Sequence, residues 1–374
     1  LHLLSRRQRQ MCIRDRFCFW SLYIFCGCSS HRVCDCMSTI KVDLSHPQEH
    51  LNFSSFIKDV NAIKLELPEP YFFGVITNVL FTDSTLFVVD KKQGSIFRFT
   101  KDGLFLNKIG SRGEAPGEFF SLHHVCVDDE YVYVSDINVR KVHYYMHDGT
   151  FVKSLAFSFD LVYDDFEILP DGKFLCHDIQ GRKGESKIWV MSEKGEKEQT
   201  LLYHDAVFPF SYTDWSTITF RRRDNQIEVL DPITCSLYAI DSRTRKIERI
   251  QCLVSDKKGL NSYKDVENLM DVQDEYACPS FVVNTENYLY SIWTISESPG
   301  LYSLYEKSRN KSCSFERQET DIAEYSIYPL PVSTNLPDVL IAISTDEYPS
   351  EYFPEALRND ISERMAVVYK MNFK

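Results

Sequence analysis

Glycine is scarce in this chain, 14 of 374 residues, which argues against a glycine-rich nucleotide-binding scaffold. No Gly-Lys-Ser/Thr tripeptide occurs, and Gly110-x-x-Gly113 is not followed by a helix pattern, so neither a P-loop nor a dinucleotide fingerprint is present. HExxH and the G-x-S-x-G elbow are also missing. So are glycine pairs and a Trp-Asp dipeptide, which sets aside kelch and WD40 repeats. No apolar run reaches 18 residues, so no segment reads as a membrane-spanning helix. The twelve cysteines include no CxxC pair, and Cys34-Asp35-Cys36 has a poor spacing for a zinc ribbon. An excess of positive charge is missing too. The net charge is −12, and residues 1–30 hold five arginines and one aspartate, so the remainder stands at −16. Such a body has no general electrostatic reason to bind nucleic acid, and none is expected as a partner.

Aromatic residues are abundant, 26 Phe and 21 Tyr, and 44% of the chain is hydrophobic. That suffices for a sizeable core and favours strands. The leader, residues 1–36, reads differently from the body. Arg9-Gln10-Met11-Cys12-Ile13-Arg14-Asp15-Arg16 resembles translated sequencing-adaptor sequence, so residues 1–16 are set aside from fold reasoning; the alternative is a basic n-region. Phe17 to Cys28 is a mostly apolar run of signal-peptide length. It ends Phe25-Cys26-Gly27-Cys28-Ser29-Ser30, which resembles a bacterial lipobox with Cys28 as the lipid-bearing thiol; Phe25 and Cys26 depart from the usual branched and small residues. The alternative is an ordinary cleaved signal peptide. The expectation is an exported protein of the cell envelope, in the periplasm or at the outer membrane, touching membrane only through an N-terminal lipid. Cys126 and Cys176 lie in apolar strand-like runs and read as buried free thiols.

The body repeats. Residues 85–110 align with residues 131–155, with Asp90 on Asp136 and Asp102-Gly103 on Asp148-Gly149, both offset by 46. Each copy is a strand ending in Asp, a turn, an alternating strand, an Asp-Gly turn and a further strand, a strong hairpin pattern. The strand-closing Asp reads as a structural acceptor for turn amides rather than a metal ligand. Weaker copies span 165–203, 216–253, 279–319 and 339–373. Four strands per 40–50 residues is the period of a propeller blade. The fold class expected is all-β: a six-bladed β-propeller of four-stranded antiparallel blades over residues 55–374, with two short helical insertions at 263–276 and 354–365. An open ring leaves unpaired edges, so the early strand at 60–67 is expected to close blade six.

Between the first two copies the chain reads Gly110-Ser111-Arg112-Gly113-Glu114-Ala115-Pro116-Gly117-Glu118-Phe119. This resembles the NHL repeat, and more closely the six-bladed β-propeller proteins of Bacteroides-type bacteria, many of them predicted lipoproteins. The closing stretch Ala366 to Phe373 is similar to that family's last strand. The sequence departs from the family in its leader, in the pair His123-His124 and in a weak fifth blade. The resemblance brings no catalytic residues with it.

Propeller enzymes of the NHL-lyase and lactonase type, which the repeat also resembles, place His, Asp or Glu at the start of each inner strand and bind a metal. The matching positions offer Asn78, the pair His123 and His124, then Asp164, Asp165 and Glu167, then Asp214, Thr217 and Thr219, and last Ser280. A histidine beside carboxylates can hold a divalent cation that activates water. No triple-histidine set and no matched set from separate blades is evident. The preferred reading is a non-catalytic, monomeric propeller that binds an envelope protein, peptide or glycan without a cofactor. Its axis-mouth candidates are Arg112, His123, His124, Asp164, Asp165 and Asp214. The alternative is a metal-assisted hydrolase or lyase with its site at the axis. Arg221-Arg222-Arg223 reads as a solvated edge.

Overall fold

The structure, a computed structural model, describes residues 38–158, 160–179, 181–205, 220–259, 276–294, 300–319, 321–322 and 331–374. The leader, with Cys28, lies outside these residues, as do Asp214 and all but the last residue of the helical pattern at 263–276.

Three strands precede the repeats: β1 (Ser38–Val42), β2 (Gln48–Asn52) and β3 (Ile57–Glu66). Blade one is β4 (Ile76–Phe81), β5 (Thr85–Asp90), β6 (Ser95–Thr100) and β7 (Phe105–Ile109). Blade two is β8 (His124–Val127), β9 (Tyr131–Asp136), β10 (Lys141–Met146) and β11 (Phe151–Ala156). Blade three is β12 (Asp165–Ile168), β13 (Phe174–His177), β14 (Ser186–Met191) and β15 (Lys197–Tyr203). Blade four holds β16 (Phe220–Arg223), β17 (Gln226–Asp231), β18 (Ser236–Asp241) and β19 (Ile247–Ser255). Blade five holds β20 (Cys278–Asn284), β21 (Tyr288–Thr294), β22 (Leu301–Glu306) and β23 (Lys311–Glu319). Blade six uses β24 (Val339–Thr345), β25 (Met365–Phe373) and β3. The protein is a six-bladed β-propeller.

The core lies between the blades. Every residue of β5 is buried, because a strand packed on both faces has no solvent side. Each pair of neighbouring blades shares one apolar cluster. Leu80, Phe87 and Val89 of blade one meet Val125, Val132 and Tyr145 of blade two. Ile63, Val339 and Val368 of blade six meet Val79, Val88 and Phe97 of blade one, so the ring is packed shut. The six described cysteines are free thiols, with Cys126 and Cys176 buried as expected.

The 46-residue period has a physical cause. Gly103, Gly149 and Gly195 each adopt positive φ in the turn between the third and fourth strands of blades one to three. A side chain there would meet the carbonyl oxygen of Lys64, Lys108 or Ala156, each on the outer strand of the preceding blade. Glycine is needed because two backbones approach closely. The strand-closing aspartates are structural acceptors. Asp90 accepts from the amides of Gly74 (2.5 Å) and Gln93 (2.9 Å). Asp136 accepts from Phe120 (2.5 Å) and Asn138 (3.2 Å). Each ties the incoming loop to the second strand.

Closure follows the expected route. β3 pairs antiparallel with β25 from Glu66 opposite Met365 to Ile57 opposite Phe373. Two findings refine the boundaries. Blade six begins before residue 339: Val332 bridges Ile341 antiparallel and Ser333 bridges Asn78 parallel, so this segment stands where the innermost strand of the blade runs. Its short pairing hides the strand pattern. Residues 37–54, which the repeat leaves unassigned, supply β1 and β2. These add parallel fifth strands outside β19 and β23. Ile40, Val42 and Leu44 are buried there, and Asp256 accepts from the amides of Leu44 (2.7 Å) and Ser45 (3.1 Å). In the second insertion, 3₁₀ turns span Ser350–Tyr352 and Glu355–Asp360. Leu357 and Ile361 pack on the cluster between blades five and six.

Candidate functional site

The inner strands β4, β8, β12, β16 and β20 all run the same way along the axis, giving an upstream mouth where they begin and a downstream mouth where they end. The sequence candidates gather at the upstream mouth. His124 opens β8 and is buried; its Nε2 lies 3.0 Å from Asp165 Oδ1 and 3.0 Å from the Phe166 carbonyl oxygen. The ring packs edge-on against Phe166 at 4.8 Å. His123 precedes it, and alternation turns it the other way. Burial, with His124 and Lys91 nearby, lowers its pKa to about 4 against the pull of Asp165. Burial raises Asp164 to about 6, with Asp178 and Asp165 adding to the shift; its carboxylate accepts from the Ile179 amide at 2.7 Å. Behind them Lys187 and Asp231 form a buried pair at 2.7 Å. Burial opposes both charges, yet Asp231 keeps Lys187 raised and Lys187 with His177 keeps Asp231 lowered. Arg112 stands apart, exposed in its loop and flanking Gly94. Among the described residues no three His, Cys, Asp or Glu side chains come together as a metal site.

The downstream mouth holds a bowl of about 840 Å³, lined from blades one, two, three, four and six. Of the described axis-mouth candidates, Arg112, His123, His124, Asp164 and Asp165 do not line it, whereas Glu167, offered by the third inner strand, does. Of the arginine run only Arg222 lines it, and the run lies on an inner strand rather than on a solvated edge. Arg221, Arg222 and Arg223 lie on β16, the innermost strand of blade four. Alternation sends them to opposite sides. Arg222 Nη2 reaches Glu167 Oε1 of blade three at 3.1 Å and also the Ile168 carbonyl. Arg221 donates to the Leu336 carbonyl at 2.8 Å and lies 4.9 Å over the Phe281 ring. Burial lowers its pKa to about 10. Arg223 reaches the Asn284 carbonyl at 2.6 Å and Asp338 at 2.5 Å. Arg221 is buried and Arg222 and Arg223 are half-buried, and the three like charges stand together because each has its own acceptors.

The rim is acidic and tyrosine-bearing. Asp83, Asp129, Glu130, Glu193 and Asp224 are exposed around it. Lys101, Lys153 and Lys370 stand among them, with Lys153 Nζ 4.5 Å over Tyr144 and Lys370 Nζ 5.8 Å over Phe81. Asp128 is committed to the fold, accepting from Tyr133 Oη (2.6 Å) and the amide of Tyr131 (2.7 Å). Sequence reasoning missed this bowl. Its signal was the turn after the inner strands of blades one, two and four, which carries the lining acids Asp83, Asp129 and Asp224.

A family model described as a domain of unknown function, DUF4934, matches residues 37–366. The chain belongs to the DUF4934 family. This DUF4934 protein has no significant match among curated proteins. Among solved structures it is similar to an exported protein of Bacteroides fragilis, 18% identical, covering 90% of this chain and 99% of that one, with a TM-score of 0.67. It is also similar to a DUF4221 family member from Bacteroides vulgatus, 11% identical, covering 85% and 97%, with a TM-score of 0.55. At these identities the likeness shows the fold alone. Virginiamycin B lyase of Staphylococcus aureus follows at 9% identity, covering 84% and 99%, with a TM-score of 0.43, too low to carry an argument about chemistry. No described helix is long and apolar enough to cross a membrane.

Proposed function

We propose that this DUF4934 protein is a non-catalytic, monomeric binding propeller of the bacterial cell envelope, exported by its leader and held by a lipid on Cys28. The observation that carries the binding role is the bowl of about 840 Å³ at the downstream mouth. Its volume lies in the range of ligand sites, and its side chains converge from separate blades, as binding sites in rigid scaffolds do. The upstream mouth supports a structural role: His124 and Asp165 are committed to each other, and Lys187 and Asp231 likewise.

Two measurements test this. Elemental analysis of protein purified without chelator is expected to give no stoichiometric metal. One equivalent of zinc or calcium, lost on His124→Ala or Asp165→Ala, would return the metal-assisted reading. Labelled palmitate fed to cells expressing the full chain is expected to mark the protein, and Cys28→Ala to abolish the label. An unlabelled wild-type protein would remove the lipid anchor.

A further inference from the structure

We infer that the downstream bowl takes a neutral or amino-bearing oligosaccharide; this rests on the bowl being the ligand site. Three main-chain amides at its wall are already satisfied. The Thr82 amide donates to the Thr85 carbonyl, Asp128 to Tyr131, and Leu169 to Lys173, all within the inner hairpins. An extended peptide is recognised by adding its backbone to a free strand edge or by lying in an aromatic groove, and these turns offer no such ladder. Recognition therefore falls to side chains, and those carry both signs close together. Asp129 and Glu130 share blade two with Lys153, and Asp83 shares blade one with Lys101. A hydroxyl donates and accepts at one atom, so a polyhydroxylated ring satisfies a carboxylate and an ammonium side by side. Tyr131, half-buried on the wall, offers an apolar surface for the C–H side of a ring. Among the exposed rim groups five carboxylates, of which Glu130 accepts from the Tyr131 hydroxyl, face three lysines. That excess repels uronates and sulfated sugars and tolerates an amino group.

Isothermal calorimetry on the full chain tests this. The probes are neutral and amino-bearing tetrasaccharides of several linkages, tetragalacturonate and tetralysine. A neutral or amino-bearing probe is expected to bind, tetragalacturonate is not, and Asp129→Asn and Asp224→Asn, both exposed, are each expected to weaken binding tenfold or more. Asp→Asn at the exposed rim leaves the fold intact, which the thermal midpoint of each variant checks. Three results overturn the inference. Binding of tetragalacturonate in preference to the neutral probes refutes the charge argument. Binding of tetralysine alone, lost in Asp224→Asn, refutes the ligand class and keeps the bowl as the site. No binding by any probe, or binding that neither substitution changes, refutes the bowl itself.

Discussion

At Gly103 a β-carbon would collide with the Lys64 carbonyl oxygen across the junction of blades six and one. The positive φ of +90° adds backbone strain for any other residue. Gly103→Ala is therefore expected to destabilise by about 2 kcal/mol or more, read by urea denaturation. Gly184→Ala is the control: its φ is also positive, but nothing lies within 4 Å. The smaller loss expected there isolates the collision. The upstream mouth carries a pH signature. His123 has a folded pKa near 4, below its ordinary 6.5, so its contribution is present above pH 6.5 and is lost as pH falls toward 4. Asp164 has a folded pKa near 6, above its ordinary 3.8. Its contribution is present below pH 3.8 and is lost as pH rises through 6. The two oppose one another over the same window. Relative to wild type, His123→Gln is expected to gain stability as pH falls from 6.5 to 4. Asp164→Asn is expected to gain as pH rises from 4 to 6.5. Each change is on the order of 1–3 kcal/mol, since one pKa unit is about 1.4 kcal/mol and both groups keep some solvent. Parallel profiles for the two variants would contradict the opposed shifts.

Among the elements, the outer strands β1 and β2 do most to set this propeller apart from a plain ring. They cover the edges of β19 and β23, which otherwise present unpaired backbone groups. Ile40→Ala with Val42→Ala is expected to lower stability by about 2–4 kcal/mol per site. Deleting residues 38–52 is expected to cause self-association, seen by light scattering, as exposed edges seek partners. A monodisperse monomer after that deletion would show the edges protected by other means. The legibility of the fold follows the same division. Blades one to three are plain in the sequence because hairpin chemistry is local: Asp90, Asp136 and the glycines at 103 and 149 sit at fixed spacing. Closure by β3 is also legible, since a ring must pair its ends. The parallel strands β1 and β2 are not, because their partners lie some two hundred residues or more away, from Ser38 opposite Gln251 to Asn52 opposite Glu319, and no local pattern announces such pairing. The site was harder. The histidine pair drew attention by residue type, whereas the bowl is made of exposed turn acids that look individually ordinary. The arginine run misled because charge normally marks a surface; here Glu167, Asp338 and three carbonyl oxygens supply its partners.

For the whole molecule, the packed interfaces form an unbroken ring, and no blade can leave without exposing two of them. Unfolding is therefore expected to be one cooperative transition by calorimetry. A destabilised β3, as in Leu65→Ala, where the side chain is wholly buried, is expected to cost about 2–5 kcal/mol and to open the ring first between blades six and one. Hydrogen exchange would then report faster exchange in β25 and β4 than in β13. Uniform acceleration throughout would argue against a weakest junction.

The closing strand also orders events in time. Ile57 pairs with Phe373, and the Lys374 amide donates to the Phe56 carbonyl at 2.9 Å. β3, made early, must wait for β25 to arrive. Until β25 emerges, blade six lacks a middle strand and the ring stays open, so a chain threaded through a membrane pore from its N-terminus cannot lock shut while β25 remains on the other side.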